Sequence, residues 1–152
     1  EQSLRVNLTG TFLVTQAATR RFLAQDHGVI VNVASIYGMG GPDQRLYADD
    51  EQLPPEQFKP ADYSVTKSAL YGFTKYLAAY FAGTGVRVNA VTFGGIDKGH
   101  DAGFRDRYGR RVPMGRMGRP DEVGGVMAFL FSDAASYMTG SNVVVDGGWT
   151  AW

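Results

Sequence analysis

Two short β-branched runs, Val29-Ile30-Val31-Asn32-Val33-Ala34 and Val86-Arg87-Val88-Asn89-Ala90-Val91, flank one long amphipathic stretch, and this order constrains the chain more than any other feature. Runs of this kind suit strands covered on both faces. Between them Val65, Ala69, Phe73 and Leu77 recur at i, i+4 spacing, which predicts a helix from Asp62 to about Ala82, with Asp62 as N-cap and Gly83 closing its C-terminus. Strand, long helix, strand is a βαβ unit, whose strands pair in parallel through a right-handed crossover. A third run, Asn142-Val143-Val144-Val145, ends in Asp146-Gly147-Gly148 and reads as a third strand with a glycine turn behind it. The fold class is therefore α/β, a doubly wound parallel sheet.

The remaining segments fill in around that unit. Apolar positions from Leu4 to Ala24 lie on more than one side of a helix, as expected for an element buried on two faces or paired with a partner. Pro120 with Asp121 and Glu122 starts another helix, which continues through Val123, Val126, Met127, Leu130 and Phe131 at core spacing. Residues 40–61 carry no periodicity and are expected to form a long loop bordering a site. Residues 97–119 are glycine-rich and basic and read as a solvated surface segment.

Charge and cysteine usage narrow the functional classes. Fifteen basic and fifteen acidic side chains balance, so no overall field favours nucleic acid or an anionic membrane. The absence of cysteine excludes disulfides, thiolate metal sites and a cysteine nucleophile, and no metal site is predicted. No apolar run approaches the roughly 20 residues of a membrane span, and a cytoplasmic location is the expectation. The 152 residues suffice for one domain.

The chemistry concentrates at Tyr63-Ser64-Val65-Thr66-Lys67. Positions i and i+4 share a helix face, so the Lys67 ammonium sits beside the Tyr63 phenol, and a fixed cation next to a phenol favours the phenolate. Such a pair can exchange a proton with a hydroxyl or carbonyl. Ser35 follows the first strand, and Phe93-Gly94-Gly95-Ile96 follows the second. Both lie at the carboxyl edge of a parallel sheet, where ligands bind.

Five motifs in this order resemble the short-chain dehydrogenases/reductases: Val6-Asn7-Leu8-Thr9-Gly10, Asn32 to Gly38 around Ser35, Tyr63 with Lys67, Arg87-Val88-Asn89-Ala90-Val91, and Val145-Asp146-Gly147-Gly148. Gly118-Arg119-Pro120-Asp121-Glu122-Val123 also stands in its usual place. The resemblance implies Tyr63 as catalytic acid/base and Lys67 as the group that tunes it and holds the nicotinamide ribose. It further implies Ser35 on the reacting oxygen and Asn7 at a helix distortion with a water leading to Lys67. The backbone near Gly94 and Ile96 would meet the nicotinamide of NAD or NADP. The implied activity interconverts a secondary alcohol and a ketone of a small-molecule substrate. The implied assembly is a homodimer or homotetramer through the helices Leu4–Ala24 and Asp62–Ala82.

The chain also departs from the family pattern. No glycine-rich phosphate loop precedes Asn7, and the sequence opens Glu1-Gln2-Ser3-Leu4, so residues 1–152 read as the C-terminal, catalytic and substrate-side part of an incomplete dinucleotide-binding domain. A preceding phosphate-binding half is expected. Phe93-Gly94 replaces the usual Pro-Gly, and Tyr63 lies 28 positions after Ser35, lengthened by the Pro42 to Pro60 insertion. That insertion, with Tyr76 to Phe81 and Gly94-Gly95-Ile96, resembles oxidoreductases of bacterial surface-sugar and flagellin-modification pathways. Under that reading the substrate is a sugar or sugar nucleotide, and Arg110 and Arg111 would meet its phosphate. Two other readings stay open: a non-catalytic remnant or subunit without the cofactor half, and a sugar-nucleotide epimerase or dehydratase.

Overall fold

In the computed structural model, residues 1–47 and 58–152 are described, and the middle of the long loop lies outside them. The two β-branched runs form β1 (Gly28–Ser35) and β2 (Val86–Phe93), which pair in parallel from Gly28 opposite Val86 to Ser35 opposite Phe93. β3 (Asn142–Val145) pairs in parallel with β2, so the strand order is β1-β2-β3. Alternation along the pleat sends the two sets of side chains to different layers. Val86, Val88 and Ile30 pack with Leu77, Phe81 and Phe22, while Val91, Phe93 and Val31 pack with Leu130, Val126 and Val143. Helices therefore cover both faces, and the parallel α/β expectation holds.

The first helix runs from α1 (Gln2–Leu4) through a π-helical turn, Arg5–Gly10, into α2 (Thr11–Gln25). Asp26 closes it in the left-handed conformation, and its carboxylate accepts the Gly85 N–H at 2.8 Å, tying the helix end to the start of β2. A one-turn helix, α3 (Ile36–Met39), follows β1 directly. The crossover helix α4 (Ala61–Tyr80) starts one residue earlier than the sequence suggests, because the extended Pro60 takes the N-cap position. Asp62 stands in the first turn and makes no cap bond, so its carboxylate acts on the helix end as a charge. The helix ends at Tyr80 with Phe81 as its C-cap, two residues before the predicted end, and Gly83, at φ +74°, turns the chain just beyond it.

The segment expected to be a solvated surface contains α5 (Ala102–Gly109), capped by Asp101, whose carboxylate accepts the Phe104 N–H at 2.7 Å. Its apolar side chains Phe104 and Tyr108 close a small core with Leu46, Val112 and Met117. α6 (Glu122–Phe131) begins where Pro120 suggests. Two of the motif residues prove to be braces. Arg87 donates to the carbonyls of Leu130 and Ser132 at 3.1 and 3.2 Å, holding the end of α6. Asn89 donates to the Met138 carbonyl at 2.8 Å and accepts the Ser141 N–H at 3.1 Å, which sets the entry to β3.

Candidate active site

The carboxyl edge of the sheet opens onto a cleft of about 310 Å³. Four of the predicted site residues, Ser35, Tyr63, Gly94 and Ile96, line it, with Tyr37, Tyr47, Lys59, Lys98, His100, Phe104 and Tyr108 around them. They arrive from three parts of the fold. Ser35 ends β1 and is nearly buried, and its Oγ accepts the Tyr37 N–H at 3.2 Å as the N-cap of α3. Tyr63 sits in the first turn of α4, and Gly94 and Ile96 follow β2.

Lys67 lies one turn beyond Tyr63, as the spacing requires. Its Nζ is 5.8 Å from the Tyr63 ring centroid and donates to the Val33 carbonyl at 2.7 Å. Burial pulls the Lys67 pKa below that of a free lysine, and the nearby Lys59 charge adds to the effect. A further turn along, the Tyr71 hydroxyl donates to the Ser35 carbonyl at 3.0 Å and lies 2.8 Å from Thr92 Oγ. Thr92 in turn donates to Asn142 at 2.7 Å. Tyr71 on α4 thus ties the ends of β1 and β2 together, and Thr92 extends the chain of bonds to the start of β3.

Asn7 does not line the cleft. It occupies the π-helical turn predicted as a distortion, and its Nδ2 donates to Thr66 Oγ1 at 3.4 Å, next to Lys67 on α4. Thr66 is fully buried and donates to the Tyr63 carbonyl at 2.9 Å, so Asn7 reaches the Tyr63 turn through one side chain.

The glycine turn after β2 is shaped by close packing. A Cβ on Gly94 would stand 2.8 Å from Asp146 Cα, and one on Gly95 would stand 2.7 Å from the Tyr108 ring. The Gly95 N–H donates to the Tyr108 hydroxyl at 2.5 Å. Glycine here leaves bare backbone against the cleft. The buried phenols stay protonated: burial drives Tyr37 well above the ordinary phenol range, with help from Tyr47, and pushes Tyr108 up to about 12.

The arginines expected to meet a phosphate are engaged elsewhere. Arg110 pairs with Asp106 on α5 at 2.6 Å, and Arg111 pairs with Asp43 and stacks on Trp149. Arg116 makes two 2.8 Å bonds to Glu122, and that pair, with the Arg119 N–H, holds the Glu122 carboxyl down at about 2. None of the six arginines of 105–119 lines the cleft. Its basic groups are Lys59, Lys98 and His100, which sequence patterning did not single out.

The fold and this edge define a doubly wound α/β domain with a polar cleft at the strand ends. A family model described as enoyl-(acyl carrier protein) reductase matches residues 56–150, and one described as short chain dehydrogenase matches residues 1–48. The chain belongs to the short-chain dehydrogenase/reductase family. The 3-oxoacyl-(acyl-carrier-protein) reductase FabG of Aquifex aeolicus is 41% identical over 152 residues, covering 97% of this chain and 55% of that protein. Among solved structures, a short chain dehydrogenase from Leptospira borgpetersenii with bound NAD+ superposes with a TM-score of 0.87 at 39% identity, over 97% of this chain and 54% of that one. A gluconate 5-dehydrogenase from Burkholderia cenocepacia, in complex with NADP and tartrate, gives 0.81 at 32%, over 98% and 55%. The chain spans about half the length of the curated relatives it matches. Among the described residues no helix is long and apolar enough to cross a membrane.

Proposed function

We propose that the protein interconverts a secondary alcohol and a ketone with NAD or NADP, this chain supplying the substrate cleft and the nicotinamide side. The observation that carries the reading is the convergence of Ser35, Tyr63 and the 94–96 turn on one cleft, with the Lys67 ammonium fixed beside Tyr63. When bound, the dinucleotide supplies the ring that accepts or gives up hydride. Tyr63 takes the hydroxyl proton during oxidation and returns it to the carbonyl oxygen during reduction. Ser35 Oγ already accepts the Tyr37 N–H, so its own proton is free to donate to the reacting oxygen. Lys67 directs one N–H to Val33 and keeps two for ribose hydroxyls. The backbone at Gly94 and Ile96 would meet the carboxamide end. Asn7, acting through Thr66, is a positioning residue. Two unspent ammonium donors beside Tyr63 fit the ribose next to the nicotinamide.

The relatives solved with NAD+ and with NADP support either cofactor. We place the substrate among sugars and their derivatives, consistent with the resemblance to surface-sugar oxidoreductases and with the likeness to a gluconate 5-dehydrogenase. The working form is a homo-oligomer assembled on α2 and α4. These helices expose Leu13 and Val14 at 54% and 72%, and Val65 and Tyr76 at 58% and 64%, a face that water solvates poorly.

The test is Tyr63→Phe in the natural full-length polypeptide, followed by NAD(P)H absorbance across a panel of sugar alcohols and ketoses. Turnover should fall by about 10²–10⁴-fold while the thermal melt is retained. Activity within tenfold of the parent protein would overturn the assignment. A net change in NAD(P)H during turnover separates this chemistry from epimerisation.

A further inference from the structure

Among the described residues the cleft lining is basic, in a protein that is neutral overall. Among the described residues its lining carries Lys59, Lys98 and His100 and no carboxylate, and the phenols of Tyr37 and Tyr108 stay uncharged. His100 is satisfied, 3.3 Å from Asp97. Lys59 is different. It is half buried, burial pulls its pKa downward, and among the described residues it makes no ion pair. Its Nζ stands 4.1 Å from the centroid of the Tyr63 ring, over the residue that would move the proton.

Lys59 is also held there by its backbone. The Gln44 side-chain amide accepts the Lys59 N–H at 2.9 Å and donates to the Lys59 carbonyl at 3.1 Å. Both backbone groups of one residue are thereby fixed to the Gln44–Tyr47 turn, whose Leu46 is buried under α5. Half burying an ammonium with no carboxylate beside it among the described residues costs free energy, so a rigid scaffold that places one over a proton-transfer residue points to a charge that arrives from outside.

We propose that the cleft selects substrates carrying an anionic oxygen group, carboxylate or phosphate, near the reacting carbon, with Lys59 as the specificity-determining contact and Lys98 at the same rim. Gln44 is its positioning residue. The inference rests on the oxidoreductase reading for the role of the ligand as substrate, and its test reads binding as well as turnover.

Three probes of one carbon skeleton separate the sources of charge: glucitol is neutral, gluconate carries a carboxylate, and glucitol 6-phosphate carries a phosphate. Titration calorimetry on the full-length protein should show one anionic probe bound at least tenfold tighter than glucitol, with the preference shrinking as sodium chloride rises. Lys59→Gln should reduce the preference at least tenfold, and Lys59→Arg should keep most of it, with thermal melts verifying that both variants are folded. Equal binding of charged and neutral probes, no binding of any probe, or a preference that survives Lys59→Gln would overturn the proposal. If Lys59-dependent anion binding appears and no probe changes NAD(P)H, the redox reading falls and the anion site stands. Turnover without anion preference removes the anion site and leaves the redox reading in place.

Discussion

Gly38 sits where the serine element presses on the tyrosine element, and replacing it with alanine tests the packing that aligns them. A Cβ at position 38 would stand 2.7 Å from the Lys67 carbonyl carbon, 2.9 Å from its oxygen and 2.9 Å from the Ser68 nitrogen. All three are backbone atoms in the body of α4, so none can swing aside. Ordinary contact begins at 3.4 Å, so α3 and α4 must part by about 0.7 Å. The Ser68 hydroxyl donates to the Gly38 carbonyl at 2.8 Å and would be stretched by the same movement. Overpacking of this kind costs about 1–3 kcal/mol. Because the gap opens between Ser35 and the turn carrying Tyr63, turnover should fall as well, toward the roughly 10²-fold that follows a 1 Å misplacement. Urea unfolding of Gly38→Ala beside Gly40→Ala supplies the comparison. Gly40 has an extended backbone and nothing within 4 Å of its Cβ direction, so its variant should match the parent protein within about 0.5 kcal/mol. A Gly38→Ala protein as stable as Gly40→Ala would refute the argument that this contact sets the spacing.

Two further perturbations probe the scaffold. Asn32 is buried on β1 and donates to Thr74 Oγ1 at 2.8 Å, so Thr74→Val should destabilise by about 1–3 kcal/mol by stranding that amide, whereas Thr74→Ser should retain most of the stability. Equal denaturation midpoints for the two variants would show that the bond is dispensable. Glu122 has a carboxyl held down at about 2, against 4.5 for a free one, first by its hydrogen bonds with Arg116. A carboxylate depressed in the folded state contributes stability that is complete above 4.5 and disappears as the pH falls through about 2. The stability difference between the parent protein and Glu122→Gln, followed by chemical denaturation from pH 7 downward, should therefore shrink across that window. A difference independent of pH would contradict the ion-pair assignment.

The parts of the molecule legible in the sequence are those decided by local spacing. β-branched runs announced β1 and β2, and the i, i+4 relation of Tyr63 and Lys67 survives folding because a helix face is a local property. Ser35, Gly94 and Ile96 were legible through topology, since strand ends in a parallel sheet share one edge. What stayed hidden depends on partners distant in the chain. α5 has only Phe104 and Tyr108 on its apolar face, and the surrounding glycines and arginines mask that pair until Leu46 covers it. Arg111 resembled a free phosphate ligand because its partner Asp43 lies 68 positions away. Lys59 looked like part of an acidic, irregular loop, and only the clasp by Gln44 turns it into a wall of the cleft.

The π-helical turn at Arg5–Gly10 accommodates one residue more than an α-helix would over the same span. A local angular phase is therefore what it supplies. Each residue of an α-helix advances the chain by about 100°. Deleting one residue from this turn would let the helix run on in regular form with a better local hydrogen-bond pattern and would leave the segments on either side in nearly the same phase, so the side chains within the turn are the ones redirected, by up to about that angle. Asn7 would then point away from Thr66 while the helix itself gained regularity. The irregular turn works as a fixed local rotational offset, and its upkeep makes sense only if the direction in which Asn7 points matters more to the protein than the smoothness of the helix that carries it.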